Sequence, residues 1–303
     1  MADAVRALAA LALLPSIAGA QAPWTLRPPA EARQTGAFAE RRIDESSGLA
    51  ASRAYPGVLW TIEDSGNPAS LHAVDTAGRL LGTWRVDGAR NTDWEALALA
   101  PCGEAACLYI ADTGDNGARR DEVRIYRVRE PVVGTEGWKD GTTEARIAGP
   151  DILRFRYPDG RHDVEALVVT ADGDMILVSK GRRDQAHAFR LRAPTWNANR
   201  AATAESLAAP GLPQGGIADL VTDAALHPDG SSLVVRTYVA LYFFTLDDTG
   251  IPRAGDAPAG CSILGLELQG EGVTWLDEAT LVLSSEAAYG TPGTISLVRC
   301  PRR

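Results

Sequence analysis

The stretch Asp93-Trp-Glu-Ala-Leu-Ala-Leu99, followed by Leu108-Tyr-Ile-Ala-Asp112, decides the fold of this 303-residue chain. It combines an acidic residue, a short apolar strand, a turn and a second apolar strand that ends in a polar residue. Degenerate copies of the same pattern begin at Glu45, Asp163, Asp223 and Glu271. Such recurrence indicates a fold assembled from similar units, none of which can bury its apolar face alone.

The units contain more than one pair of strands. A third alternating run follows each pair, as in Val123-Arg-Ile-Tyr-Arg-Val128, and several units have a fourth, as in Ile152-Leu-Arg-Phe-Arg-Tyr157. Four short strands per unit, repeated at roughly 40–70 residues, are typical of propeller blades. We therefore predict an all-β fold, a β-propeller of five four-stranded antiparallel blades around a central channel. Six blades are an alternative, since a degenerate blade could lie within 131–150 or 193–220, and a β-sandwich is another.

The N-terminus predicts export. Arg6 precedes an uncharged apolar run over 7–20 that ends in Ala18-Gly19-Ala20, the small residues that a signal peptidase needs. We predict cleavage before Gln21, which makes residues 1–20 a signal peptide. The alternative is a membrane anchor, but a run of about 14 residues is shorter than the roughly 20 that a spanning helix needs. The expected location is secreted or periplasmic, with no membrane attachment after cleavage.

The rest of the chain is predicted to be one domain. Residues 21–33 are expected to form an N-terminal extension, and residues 34–303 a single β-propeller. The last unit has only three strands after Glu271, whereas a ring of blades must close. A strand within 36–43 is therefore predicted to complete the last sheet.

The cysteines agree with export. Their number, four, is even, which in an exported protein suggests disulfides, and three pairings are allowed. Cys102 and Cys107 flank a loop between two apolar runs and suit a hairpin staple, which leaves Cys261 with Cys300. Four free thiols are the alternative. A zinc site is disfavoured because no pair has CxxC spacing.

The net charge limits the classes of ligand and partner that the protein is expected to bind. The net charge is −9 and the basic residues form no long run, which argues against nucleic-acid binding. An acidic surface favours cationic ligands, including divalent metals. No GxSxG, HExxH or P-loop pattern is present, which argues against the common hydrolase, zincin and NTPase sites. We expect a monomer that binds a small molecule or a protein at the mouth of its channel.

The repeat predicts where the chemistry lies. The start of an innermost strand and the end of the next strand lie at the same end of a blade, so both sets of residues should surround one mouth of the channel. The residues that open the inner strands are Glu45, Glu95, Glu165, Asp223 and Glu271. Those that close the second strands are Asp64, Asp112, Lys180, Arg236 and Glu286.

Two further acids should join this ring. Asp93 and Asp163 precede their glutamates by two residues, and a period of two places them on the same side of the strand. In the first unit Glu45 aligns with these aspartates and Ser47 takes the place of the glutamate, so that unit contributes less acid.

So many carboxylates need compensation, because like charges raise each other's pKa values or repel. Lys180 and Arg236 are internal candidates. Ca2+ is the other, since it takes six to eight oxygen ligands. The predicted metal ligands are Glu45, Asp64, Glu95, Glu165, Asp223 and Glu271. Asn67, Asp115 and Asn116 in the adjoining loops could add oxygens, although such loops also read as ordinary turns. The acids could equally serve structure alone, bonded to backbone N–H groups.

One segment resembles a known family. Glu45-Ser-Ser-Gly-Leu-Ala50, followed by Leu59-Trp60 and Asp64-Ser-Gly66, is similar to the opening blade of the secreted phytase-like and gluconolactonase-like propellers. The resemblance covers mainly one blade. It implies a channel-mouth site, often calcium-dependent, that acts on phosphate esters, lactones or other esters. By position it makes Glu45 and Asp64 metal-side ligands. Those families usually have six blades, whereas this sequence predicts five.

Two functions follow. The first is a propeller whose acidic mouth binds Ca2+ and a ligand or partner without chemistry of its own. The second is a calcium-dependent hydrolase of the esters named above, in which water is activated by one of the predicted catalytic residues Glu165, Glu286 and His162. The predicted ligand-binding residues are Lys180, Arg236, Asp112, Asp93 and Asp163.

Overall fold

A computed structural model describes residues 24–39, 43–134, 144–214, 216–255 and 258–301. The predicted signal peptide lies outside these ranges. Within them the regular structure is β-strand, apart from one 3-10 turn at Ile217–Asp219. A search of the same ranges finds no helix with the length and apolar character needed to cross a membrane.

The strands within these ranges form five sheets, each of which is one blade. Strands β1 (Thr25–Arg27) and β2 (Glu31–Ala37) come first and join the last two blades. Blade one contains β3 (Ser46–Ala51), β4 (Val58–Glu63), β5 (Ser70–Asp75) and β6 (Leu80–Asp87). Blade two contains β7 (Trp94–Cys102), β8 (Ala105–Asp112) and β9 (Val123–Arg129). Strand β10 (Glu144–Ala148) then returns to pair in parallel with β6, and β11 (Asp151–Arg156) completes blade two.

The remaining blades follow the same plan. Blade three contains β12 (Val164–Val169), β13 (Met175–Ser179), β14 (Ala188–Leu191) and β16 (Glu205–Ser206). The short strand β15 (Ala202–Thr203), which precedes β16 in the chain, pairs with β11 of blade two. Blade four contains β17 (Val221–Leu226), β18 (Ser232–Thr237), β19 (Ala240–Leu246), β20 (Pro252–Arg253) and β21 (Ala259–Ser262). Blade five contains β22 (Gly270–Trp275), β23 (Leu281–Ser285) and β24 (Thr294–Arg299).

The inner strands β3, β7, β12, β17 and β22 contact one another in that order, and β22 meets β3 to close the ring. They are buried over most of their length because each lies between two neighbouring blades. The core is correspondingly divided among the junctions between blades. Trp60, Trp84 and Trp94, for example, are buried between blades one and two. The predicted five-bladed propeller is confirmed.

An N-terminal strand completes blade five, but its bounds differ from the predicted stretch. Strand β2, Glu31–Ala37, pairs antiparallel with β24, so the closing strand begins before the predicted stretch 36–43. Strand β1, inside the predicted extension 21–33, pairs in parallel with β21 of blade four. Both strands are largely exposed at the outer edge of their sheets. An exposed outer strand needs no apolar alternation, which explains why the sequence pattern missed them.

Both predicted disulfides are present. Cys102–Cys107 joins the ends of the hairpin between β7 and β8. Cys261–Cys300 connects the outer strand of blade four to the residue after β24 of blade five. The second bridge therefore fastens two blades to each other.

Candidate functional site

Each inner strand is irregular near its start. The pairing with the second strand shifts register between Ser46 and Leu49 in blade one, and the shift recurs at the equivalent place in the other four blades. Such a bulge adds a residue and re-aims its side chain, commonly beside a functional site. The equivalent residues in these bulges are Ser47, Glu95, Glu165, Thr222 and Glu271.

The last residues of the second strands pair with the start of the inner strands, so the residues that follow them are equivalent as well. In chain order they are Asp64, Thr113, Lys180, Tyr238 and Glu286. The sequence predicted Asp64, Lys180 and Glu286 for this position. It named Asp112 one residue too early and Arg236 two residues too early, and it missed Tyr238.

Two sets of carboxylates come together at this end of the channel. The first carboxylate group is Asp64, Asp93 and Glu95, and the second carboxylate group is Glu95, Asp163 and Glu165. In each group, one oxygen from every residue lies within 4.8 Å of the others. Glu95 belongs to both groups. The structure therefore brings together five of the predicted site residues from blades one to three.

A glycine permits this close approach. A Cβ atom on Gly114 would lie 2.2 Å from Glu95 Oε1 and 2.6 Å from Asp93 Oδ2. The Gly114 N–H donates to the Asp93 carbonyl oxygen at 3.1 Å, which holds the loop against the acids. A side chain at position 114 would displace the carboxylates, so Gly114 belongs to the site although the sequence did not single it out.

The two groups have few internal donors. Glu95 is 5% exposed, and its carboxylate accepts one long hydrogen bond, from Ser47 Oγ at 3.4 Å. Asp163 Oδ1 accepts the Asp115 N–H at 2.7 Å, but its buried Oδ2 has no partner among the described residues. Burial, and then Glu165, raise the pKa of Glu95 well above its usual value. Burial, then Asp64 and Asp163, raise the pKa of Asp93 to about 6.

Lys180 supplies a positive charge to the second group. Its Nζ donates to Glu165 Oε1 at 2.6 Å, and both side chains are buried. Burial works against the charged ammonium, but Glu165 and then Glu95 outweigh it and raise the pKa of Lys180. Burial still raises the pKa of Glu165 to about 8, in spite of Lys180.

Blade five adds two acids beside this arrangement. Glu271 accepts a hydrogen bond from Tyr238 OH at 3.2 Å, and burial, then Glu286, raise its pKa to about 8. Glu286 is half-buried and accepts a hydrogen bond from the Gln269 side chain. Burial, then Asp64 and Glu45, raise the pKa of Glu286 to about 7. The mouth thus holds carboxylates that titrate near neutral pH.

Glu63 is a further acid that the sequence did not single out. It ends β4, it is buried, and burial raises its pKa to about 8. Its position opposite Ser46 follows from the pairing of β3 with β4. A recognisable signal existed, because Glu63 directly precedes the predicted Asp64.

Other predicted residues lie outside the two groups. Glu45 is exposed and accepts a hydrogen bond from Asn67 Nδ2 at 2.6 Å. The Asp115 carboxylate accepts the N–H groups of Arg119 and Arg120 and so stabilises its own turn. Asn116 is exposed in the same turn, where its carbonyl oxygen accepts from Arg183.

His162 is also separate from the carboxylates. Its Nε2 lies 2.9 Å from Asp159 Oδ1, and its ring packs against Tyr157, Phe189 and His187. This histidine belongs to an aromatic cluster on blade three. Among the described residues, its ring nitrogens form no hydrogen bond with either carboxylate group, although Asp163 is its neighbour in the chain.

Three predicted site residues form buried hydrogen bonds and ion pairs in the interior of the protein. Asp223 is fully buried and accepts the N–H groups of Val273 and Ala224, both at 2.8 Å. Arg236 is also fully buried; it donates to carbonyl oxygens of blade five and pairs with Glu267. Asp112 pairs with Arg120 at 2.8 Å and accepts the Asp93 N–H. The bulge in β17 shifts the phase of that strand by one residue and turns Asp223 from the mouth into the interior. Asp112 and Arg236 lie one and two residues before the position that follows the second strand, so their side chains are still within the sheet.

Comparison with known proteins adds to the fold alone. No protein-family model and no curated protein matches the sequence. The chain is similar in structure to a PQQ-bound aldose sugar dehydrogenase from Streptomyces coelicolor, with 15% identity, a TM-score of 0.49, and coverage of 90% of this chain and 99% of that one. It is also similar to a gluconolactonase from Xanthomonas campestris, with 15% identity, a TM-score of 0.42, and coverage of 91% and 99%.

At this level of similarity the two structures do not bear on the site. The resemblance of the opening blade to the phytase-like and gluconolactonase-like propellers stays a prediction.

Proposed function

We propose that the channel mouth binds a divalent cation, with Ca2+ as the first candidate, and uses it to hold a small-molecule or protein ligand. The observation that carries the proposal is Glu95. It is 5% exposed, its carboxylate accepts one long hydrogen bond from the described residues, and it belongs to both carboxylate groups. An ionised buried carboxylate with so few donors is costly unless a cation compensates it.

The residues fit such an ion. Asp64, Asp93, Glu95, Asp163 and Glu165 offer only oxygen donors, which are the ligands that Ca2+ prefers. Asp163 Oδ2 is buried and has no hydrogen-bond donor in the described part of the chain. The backbone at Gly114 leaves room for the carboxylates and no room for a side chain. The bound ion would supply positive charge and open coordination positions at the mouth.

Export is part of the proposal. The apolar run over 7–20 is the basis for a secreted or periplasmic location. The disulfides Cys102–Cys107 and Cys261–Cys300 are compatible with it, because such bonds persist in oxidising compartments.

The test is calcium binding by the purified protein, followed by elemental analysis and by thermal melting in EDTA and in excess Ca2+. At a concentration about 100-fold above Kd, bound Ca2+ stabilises by about 2.7 kcal/mol, which corresponds to roughly 6–8 °C in melting temperature. Asp93→Asn should remove most of that shift. Asp172→Asn, on an exposed turn outside both groups, is the matched control and should keep it. The absence of both bound metal and a shift in the wild-type protein would overturn the proposal.

A second candidate function is a calcium-dependent hydrolase of phosphate esters, lactones or other esters. The observation that favours it is Glu286, a half-buried acid with a pKa of about 7 beside the carboxylates. Such a group can exchange a proton with water near neutral pH. Lys180 would hold an anionic part of the substrate. A bound divalent ion supplies polarisation of a carbonyl or phosphoryl oxygen.

The hydrolase is tested by turnover of an aryl phosphate, an aryl ester and a sugar lactone in the presence of Ca2+. Glu286→Gln should lower kcat by about 100-fold or more, as expected for loss of a general acid or base, while the calcium-dependent melting shift persists. A wild-type protein that binds Ca2+ but turns over none of the three substrates would exclude this function and leave the binding function intact.

A further inference from the structure

The two carboxylate groups share Glu95 but differ in their internal cations. In the second group, Lys180 Nζ lies 2.6 Å from Glu165 Oε1. In the first group, no lysine or arginine in the described ranges forms an ion pair with Asp64 or Asp93. The charge of Arg120 acts on Asp93 from nearby, but the guanidinium donates to Asp112 and to the Gly114 carbonyl oxygen rather than to an acid of the first group.

Lys180 is held in place from both sides. Its N–H donates to the Asp163 carbonyl oxygen at 2.8 Å, and its carbonyl oxygen accepts the Val221 N–H of blade four at 3.0 Å. The residue is 7% exposed and Glu165 is 1% exposed. An ammonium fixed by its own backbone and by a buried carboxylate cannot swing out to solvent at low cost.

The charge of Lys180 also acts beyond Glu165. It interacts favourably with Glu95 in blade two and with Glu271 and Glu286 in blade five. A single ammonium therefore serves glutamates from three blades. A metal ion at the second carboxylate group would have to share Glu165 with this ammonium. Two cations that bind the same carboxylate repel each other strongly.

We infer that Lys180 is a resident counter-cation that occupies the second carboxylate group and confines a divalent ion to the first group, Asp64, Asp93 and Glu95. The inference rests on the proposed cation binding and deepens it, because it specifies one ion and its position. Lys180 is then a positioning residue that sets the stoichiometry of the site. Removal of its charge should open the second group to a second ion.

The test counts Ca2+ ions on the full-length protein by isothermal titration and native mass spectrometry. The wild-type protein should bind one Ca2+, and Lys180→Met should bind two. Arg192→Met is the matched control: it removes the same charge from an exposed ion pair with Glu205, and it should still bind one ion. A Lys180→Met protein that binds one ion with unchanged affinity would overturn the inference.

A second comparison keeps Lys180 in place, in case Lys180→Met does not fold. Asp64→Asn should weaken Ca2+ binding by about tenfold or more, since affinity follows the charge count of the ligands, and Asp163→Asn by less than about threefold. The reverse order would overturn the inference.

The two proposals fail separately. A wild-type protein that binds no Ca2+ overturns the proposed function. If Lys180→Met then binds one ion, the role of Lys180 as a counter-cation is still supported, and if it binds none, that role falls too.

Discussion

The junction between blades four and five and the mouth on blades one to three both bury charge, but they treat it differently. At the junction, each oxygen of Asp223 accepts a backbone N–H, and Arg236 is bonded to two carbonyl oxygens and to Glu267. At the mouth, the described residues give the Glu95 carboxylate one long hydrogen bond and Asp163 Oδ2 none. A buried oxygen without a donor also occurs at the junction, at Glu267 Oε1. Neither burial nor a missing donor alone therefore distinguishes the mouth; the convergence of five carboxylates in two groups does.

A disulfide and the N-terminal strands also stabilise the junction between blades four and five. Cys261–Cys300 connects the two blades covalently, and the N-terminal segment pairs with blade four through β1 and with blade five through β2. None of these contacts reaches the two carboxylate groups. The covalent bond and the N-terminal strands are thus concentrated at one part of the ring, away from the two carboxylate groups.

The largest effect is expected at the junction. Asp223→Ala leaves the Val273 N–H buried without an acceptor, which should cost about 3 kcal/mol and lower the melting temperature by roughly 8 °C. Because Asp223 is not a ligand in our assignment, the calcium-dependent shift should be unchanged, as measured by scanning calorimetry in EDTA and in Ca2+. Loss of that shift would place Asp223 in the site and break the comparison.

The next effect is the pH dependence of the metal-free protein. Burial raises the pKa of Asp93 to about 6, of Glu286 to about 7, and of Glu165 and Glu271 to about 8. The folded state therefore holds protons that the unfolded chain has released. The stabilisation is fully present below about pH 4, where the unfolded carboxyl groups are also protonated, and is lost as the pH rises from there through the folded pKa values of about 6 to 8. In EDTA we expect a decrease of about 5 °C between about pH 6 and pH 9.

Bound Ca2+ should oppose this loss of stability at high pH. Ca2+ competes with protons for the same oxygens, so its stabilising effect should grow as the pH rises. Melting curves at several pH values, with and without Ca2+, measure both trends. A metal-free protein that is more stable at pH 9 than at pH 6 would contradict the assignment of raised pKa values to the mouth.

The smallest effect is expected for Glu95→Gln, which tests whether the Glu95 carboxylate binds metal or stabilises the fold. Glu95→Gln keeps the shape but removes a carboxyl group whose ionisation is opposed by burial, so in EDTA at about pH 9 the melting temperature should rise by about 3 °C. The same variant should lose the calcium-dependent shift. Glu104→Gln, in the exposed turn between β7 and β8, is the control and should change neither quantity. A Glu95→Gln protein destabilised in EDTA would show that the carboxylate serves structure.

The sequence predicted the blades well because alternation and turns are local properties. The apolar runs after Glu95 and Glu165 show the inner strands directly, and the spacing of Cys102 and Cys107 shows the hairpin between them. The outer strands β1 and β2 escaped, since exposed edge strands carry no apolar pattern.

The site residues were harder to predict from the sequence because the register of the paired strands depends on the bulges. Asp223 seemed equivalent to Glu95, but the bulge in β17 places Thr222 in that position and turns Asp223 inward. Arg236 likewise gives way to Tyr238 at the end of the second strand. A bulge moves a side chain to the other face of its strand, and one sequence without its pairings does not show where that happens.

The pairing of β2 with β24 has a consequence for how the molecule is made. The chain is synthesised from its N-terminus, so β2 emerges more than 250 residues before its partner β24. Until then the backbone groups of β2 lack their native partner, and an unpaired strand is a template for a second chain. Contacts so distant along the chain also form slowly. Completion of blade five is therefore the step at which folding of the ring competes most directly with misassembly.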